Sequence, residues 1–260
     1  MASARFIWKN VTLEAASTVS ASTEATGYPA TNAKNSKRGL PWRSATSTAN
    51  QTFTALFSSR LVTAVALVNW KGHTGGTIKA EYRVGAGAYS NFGGGTGLFT
   101  LTSPNRTRLI VLYSAAGVTA TEIRITFTQP GSPVTEYVEI GVPFIADSTG
   151  YFEPTAKLSN DRGIQPVDPS LVRAAVGGQR QAWKKQKTIV LTGSWIILPR
   201  ADLDTLMQVW DQNGATDPII FTQASDTLDQ TIYGTLVARP THKHVAGNQW
   251  AWQATIEEAA

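Results

Sequence analysis

Three histidines, His73, His242 and His244, are the residues of this chain best suited to hold a metal or move a proton. His242 and His244 stand two apart, which places both on one face of a strand. No cysteine or acidic triplet stands nearby to complete a tetrahedral zinc site, so the pair reads as a solvated turn after Pro240. His73 sits in a polar turn with no base partner in the sequence pattern. The glycine-dense run 84–97 lacks the strand-to-helix context and Lys-Ser/Thr ending of a phosphate loop and reads as a hairpin loop. No Gly-x-Ser-x-Gly elbow occurs. Asp202 and Asp204 open a helix, where carboxylates suit the positive end of the dipole. Asp226 and Asp229 share a loop, and spacing alone leaves a two-carboxylate glycosidase site open there. No motif meets the role geometry a catalytic site requires. The chain therefore reads as a non-enzyme, with no metal site and no cofactor.

The elements that would carry any site are mostly strands. Across 260 residues, 42% are hydrophobic, only 16% are charged and 22 are glycine, which suits an all-β architecture with many turns. The net charge is +5, but the cations are scattered. Their densest group, Arg180, Lys184, Lys185 and Lys187, falls short of a phosphate track, so no nucleic-acid partner is expected. The absence of cysteine fits a chain made in a reducing cytosol. The N-terminal residues have no apolar stretch of signal-peptide length. No run reaches transmembrane length, and no membrane insertion is expected.

Period-2 alternation predicts a series of strands. Residues 61–70 are a β-branched-rich run that predicts a strand covered on both faces. In 77–84, Ile78, Ala80, Tyr82 and Val84 point inward and Lys79, Glu81 and Arg83 outward. Residues 109–113, 122–128 and 137–145 complete the set. With no helix between them, these strands predict a β-sandwich over 1–147. From 151 to 181 the prolines and the lack of periodicity predict an extended arm or linker, taken as 148–182. Residues 187–198 predict a further strand. Leu203, Leu206, Met207 and Trp210 lie at helical spacing over about 200–212, stopped at Asn213-Gly214. Three more strands follow, at 218–222, 230–239 and 249–257. Trp250 and Trp252 share one strand face, which core packing or a subunit interface explains better than a ligand box.

The Ser-rich lead-in, the Tyr28-Pro29-Ala30-Thr31-Asn32-Ala33 turn, Trp42-Arg43-Ser44 and the strands QTFTALFSSRLVTAVALVNW, TIKAEYRV, EIRITFT and VTEYVEIGVPFI follow one another in a recognisable order. This order resembles discoidin-type (factor 5/8 type C, galactose-binding-like) jelly rolls over roughly residues 1–147. The resemblance implies a domain that binds surfaces or sugars, with Tyr28, Asn35, Lys37, Arg38 and Arg43 near the loops of its ligand-binding end. There an aromatic ring stacks on a sugar face and Arg or Asn fixes hydroxyls. It also implies that Trp42 is buried in the core.

The second half, carried by IVLTGSWIILPRADLDTLMQVWDQNGATDPIIF, QTIYGTLVAR and WAWQATIEEA, is similar to tail-tube, baseplate and distal-tail proteins of siphophages. Some distal tail proteins begin with the ring domain, whereas here the sandwich comes first. The combined expectation is a mainly β chain: an N-terminal jelly-roll sandwich, then a small β-sandwich or α+β tail-type domain over 183–260 with one helix. The resemblance implies a structural virion protein of a bacteriophage tail, a distal tail or baseplate component made in the host cytoplasm and located at the tail tip. Its expected partners are copies of itself in a ring, other tail or baseplate proteins and a cell-surface glycan. Tyr151, Phe152, Arg162, Arg173 and Arg180 would serve the assembly arm. The alternative is a carbohydrate- or receptor-binding module acting through the N-terminal sandwich.

Overall fold

A computed structural model describes residues 4–36, 39–46, 50–72, 75–93, 98–100, 107–128, 137–155, 163–167, 171–174, 180–183, 188–222 and 231–259. The protein is mainly β. In chain order the strands begin with β1 (Arg5–Ile7), β2 (Thr18–Ala21), β3 (Trp42–Arg43), β4 (Gln51–Lys71), β5 (Thr77–Arg83) and β6 (Ser90–Asn91). Next come β7 (Leu98–Thr100), β8 (Thr107–Thr128), β9 (Glu139–Asp147), β10 (Tyr151–Phe152), β11 (Gly163–Val167) and β12 (Leu171–Ala174). The last are β13 (Arg180–Trp183), β14 (Thr188–Pro199), β15 (Ile219–Thr222), β16 (Thr231–Leu236), β17 (Thr241–Ala246) and β18 (Gln249–Glu258). The helix α1 (Arg200–Asn213) joins β14 to β15. Two compact units result. One, the sandwich unit, is Ile7–Phe152; the other, the helix-bearing unit, combines Met1–Phe6 with Glu153–Ala260.

In the sandwich unit the strand order is β3-β9-β4-β8-β5-β6, with β2 also on β4 and β7 also on β5. The two longest strands make one sheet serve as two leaves. The first half of β4 pairs with β2 and with the second half of β8, from Gln51 opposite Phe127 to Leu56 opposite Glu122. Its second half pairs with β9 and with the first half of β8, from Ala64 opposite Tyr113 to Trp70 opposite Thr107. Between the halves the register shifts, because Val62 faces Val118 while Ala64 faces Tyr113. Extra residues on one strand bend the pair and increase its twist, which folds the sheet over on itself. Gly117 stands at this corner with φ +68, and a Cβ there would lie 2.8 Å from Leu61 Cγ. Only glycine takes that conformation without strain.

Burial follows the leaves. In the first half of β4, Phe53, Ala55 and Phe57 are buried, whereas Leu56 is exposed. In the second half every residue from Val62 to Val68 is buried, as expected of the β-branched-rich run covered on both faces. Trp42 closes the core, with its ring 5.6 Å from Phe53 and 6.5 Å from Phe127. Its indole N–H donates to the Thr23 carbonyl at 3.0 Å, so burial leaves no polar group orphaned there.

The helix-bearing unit has the order β1-β15-β16-β18-β14-β11, with β17 also on β18. Phe6, Trp195, Phe221 and Trp252 cluster in its core, with Phe6 4.7 Å from Phe221 and Trp195 5.1 Å from Trp252. The helix buries Leu203, Leu206 and Val209. The spacing pattern picked Met207 and Trp210 in place of Val209, but both are only half-buried. The i, i+3, i+6 face is the one that wins the core. Gly214 ends the helix with φ +57, its N–H donating to the Trp210 carbonyl. Asp202 does more than face the dipole: buried, it accepts from the Thr155 N–H and hydroxyl at 2.9 and 2.7 Å.

The 148–182 stretch, expected as an arm, carries regular elements. β11 pairs antiparallel with β14, and β12 with β13. These strands are too short to show periodicity. Pro166 is tolerated because β11 is the last strand on its side of the sheet order, where a ladder donor can be dispensed with.

Candidate functional site

The strand β3 is two residues long, and its residues point to opposite faces. Trp42 lies opposite Ile140, which in turn lies opposite Trp70. All three are buried and form one row of the core. The next row presents the other face. Arg43 lies opposite Glu139, and Glu139 opposite Lys71, across β3, β9 and β4. Directly opposed residues share a face, so a cation, a carboxylate and a second cation stand side by side at one end of the leaf.

Glu139 is only 2% exposed, and a buried carboxylate is tolerable only when paired. Arg43 pairs it through Nε at 2.7 Å and Nη2 at 2.5 Å. The guanidinium then sits 4.0 Å from the ring centroids of both Tyr28 and Tyr137, and the Lys71 ammonium lies 4.7 Å from Tyr137. Such contacts contribute on the order of 0.5–2 kcal/mol each. Burial works against the Arg43 charge, but the Glu139 hydrogen bond and charge outweigh it and hold the guanidinium above its ordinary pKa. The backbone fixes the loop side: the Arg43 N–H donates to the Tyr28 carbonyl, and the Ala25 N–H to the Arg43 carbonyl. Tyr28, Arg43, Lys71 and Tyr137 are all partly exposed. Tyr28, Tyr137 and Arg43 offer phenolic rings with hydroxyls and cationic N–H donors, the groups that grip a polyhydroxylated ligand, and Lys71 flanks them.

Of the residues singled out from sequence, Tyr28 and Arg43 are thus brought together. Asn35 is half-buried just after the 3-10 turn Ala30–Ala33 and is not part of the row. Lys37 and Arg38 lie outside the described residues, as do His73, Arg162, Asp226 and Asp229. Tyr151 and Phe152 form β10 within the sandwich unit, and the Tyr151 ring lies 6.0 Å from Tyr113. Arg173 and Arg180 fall on the β12–β13 hairpin, opposite Gln181 and Ala174. Sequence reasoning missed Lys71, Tyr137 and Glu139. A signal existed for the last: a glutamate between Val138 and Ile140, inside an apolar strand, demands a partner.

A second charged group spans β5 and β8. Glu81 is opposite Arg124, and Arg83 opposite Glu122. Arg124 Nη2 and Lys79 Nζ each lie 2.7 Å from Glu81, and Arg83 Nη2 lies 2.5 Å from Glu122. Tyr89 closes the group. Its hydroxyl bonds Glu122, and its ring has Arg124 at 3.5 Å and Arg83 at 4.6 Å. Burial pushes the Glu81 carboxyl up, but hydrogen bonds from Lys79 and Arg124 and their charges hold it below the ordinary carboxylate value.

In the helix-bearing unit, His242 and His244 lie on the exposed strand β17 rather than in a turn. The β-ladder to β18 continues through them, and their rings lie 5.9 and 5.0 Å from Trp250. Among the described residues no group of three metal-ligating side chains occurs. Trp252 is buried in the core while Trp250 is half-buried. No helix among the described residues is long and apolar enough to cross a membrane.

No family model matches this chain, and no curated protein matches it. Solved structures do. The family 32 CBM from C. perfringens NanJ, solved with galactose, is similar at 17% identity and TM-score 0.43, over 56% of this chain and 99% of that one. Chitosan-binding module 1 from a chitosanase/glucanase of Paenibacillus sp. IK-5 is similar at 20% identity and TM-score 0.42, over 53% of this chain and 98% of that one. The module CpGH89CBM32-6 produced by Clostridium perfringens is similar at 13% identity and TM-score 0.43, over 54% and 100%. Each likeness spans about half of this chain, and the architecture rests on its own strand order and register.

Proposed function

We propose that the sandwich unit is a saccharide-binding module that holds its ligand with Tyr28, Arg43 and Tyr137. One observation carries this reading: Arg43 is clamped between two tyrosine rings by a buried carboxylate, at the partly exposed end of a leaf. A preorganised guanidinium and rigid rings cost little ordering entropy on binding. No step of this function is catalytic. Isothermal titration of the full chain against a glycan panel tests it. Binding that disappears in Tyr137→Ala and Arg43→Ala, while circular dichroism stays native, supports the site. A folded protein that binds no glycan overturns it.

A second reading, a structural component of a bacteriophage tail, is favoured by a different observation. The helix-bearing unit exposes Ile196, Ile197, Val237 and Val245, each about half accessible. Ile196 and Ile197 are consecutive on β14, and adjoining exposed apolar side chains suit a protein contact. Electron microscopy and light scattering of the concentrated chain test it. Closed rings support assembly through this unit, and a monomer at every concentration removes the support these residues supply.

A further inference from the structure

We infer that the Arg43–Glu139–Lys71 row selects acidic saccharides, those bearing a carboxylate or a sulfate, over their neutral counterparts. The inference rests on the saccharide-binding reading and names the ligand class of the same site.

Among the described side chains of the sandwich unit, the cations other than Lys71 spend their charge on oxygen acceptors. Lys9 reaches Glu14 at 3.5 Å, and Arg60 reaches Glu14 at 2.8 Å and Asp147 at 3.3 Å. Lys79 and Arg124 meet on Glu81, and Arg83 meets Glu122. Lys34 donates to the Ser17 carbonyl at 2.5 Å. In the row itself, Arg43 binds Glu139 Oε1 through two nitrogens. Lys71 differs from all of these. Among the described residues its ammonium meets a ring face, that of Tyr137, rather than a carboxylate or a carbonyl. A ring face engages one side of an ammonium and leaves its remaining N–H donors directed elsewhere. Lys71 is also the strand-end member of the row, on the last residue of β4 and beside Tyr137, one of the two tyrosines proposed to hold the sugar.

A neutral sugar would use the rings and Arg43. An acid group on that sugar would add a charge-assisted bond to Lys71, with Arg43 raising the local positive potential. One such bond on a partly exposed lysine is expected to raise affinity roughly tenfold, the factor that corresponds to about 1.4 kcal/mol. The gain should shrink as salt rises, because exposed charges are screened over about 8 Å at physiological ionic strength.

The experiment is titration of the full chain with matched sets of one sugar in neutral, uronate and 6-sulfate form, built on galactose, glucose and mannose. Wild type is compared with Lys71→Met, which keeps the apolar stem, and Lys71→Arg, which keeps the charge. The expected result is roughly tenfold tighter binding of a charged form at low salt. That preference should fall to about one in Lys71→Met with neutral binding intact, and survive in Lys71→Arg. Binding of the uronate and the 6-sulfate alike assigns the preference to charge, and binding of the uronate alone assigns it to carboxylate geometry; both support the inference. Equal affinity for neutral and charged forms, unmoved by Lys71→Met, overturns the inference and leaves saccharide binding standing. A folded chain that binds no member of any set overturns both.

Discussion

The two charged groups of the sandwich unit are built from the same parts and finish differently. Each places a buried glutamate on a strand, an arginine directly opposite it and a tyrosine ring against that arginine. On β5 and β8 the group closes on itself. Lys79, Arg83 and Arg124 each touch a carboxylate, and the Tyr89 hydroxyl bonds Glu122. On β3, β9 and β4 Arg43 binds the glutamate's Oε1 through two nitrogens, while Lys71 rests on Tyr137. A buried carboxylate that is fully met holds strands together, and losing its partners is costly. A row that keeps a cation over a ring face retains something to give a ligand. The difference separates a stabilising clasp from a candidate binding surface within one sheet.

The largest test removes what both groups depend on. Trp42→Ala empties the core between the leaves and is expected to cost about 3–5 kcal/mol, read as a lower urea midpoint with both groups affected. Glu122→Ala should cost about 2–3 kcal/mol through the loss of charge-assisted bonds to a buried acid and leave glycan binding unchanged. If Glu122→Ala instead abolished binding in a folded protein, the division between clasp and site would be wrong. Gly117→Ala should cost about 1–3 kcal/mol, from a strained φ at the corner and the approach to Leu61, measured as a drop in Tm. Tyr137→Ala should cost only about 1 kcal/mol, the low end for two cation–π contacts at a partly exposed side chain, yet abolish binding.

The smallest effect is on pH dependence. The Arg60 hydrogen bond holds the Glu14 carboxyl below its ordinary value against the opposing effect of burial, and Glu81 is held low in the same way by Lys79 and Arg124. A folded-state pKa below the unfolded one stabilises fully above the ordinary carboxylate range and is lost as pH falls below it. The Tm of the chain should therefore decline on acidification from that range downward. Glu81→Gln should flatten the decline, and an unchanged slope in that variant would remove Glu81 from the account.

Many of the strand positions were legible because alternation reports a half-buried face directly. Phe53, Ala55 and Phe57, or Ile78 and Ala80, could occupy no other face without exposing aromatic or aliphatic surface. The β11, β12 and β13 strands were not legible, because four or five residues do not establish a period and Pro166 argues against a strand. In the helix, Met207 and Trp210 satisfied the spacing as well as Val209 did; packing against the sheet chose between them.

Half of the candidate site was within reach of pattern reading. Tyr28 and Arg43 lie close in sequence, and the resemblance to discoidin-type jelly rolls implied both. Lys71 and Glu139 are 68 positions apart, and only the register of β4 against β9 sets them side by side. Local patterns determined which residues prefer strand, helix or turn, and that Glu139, flanked by Val138 and Ile140, must find a partner. Tertiary structure decided which partner, because ion pairs form across strands whose neighbours are chosen by the bend of two long strands and by the filling of one core. Side-chain chemistry is carried by each residue alone, whereas adjacency is a property of the folded chain.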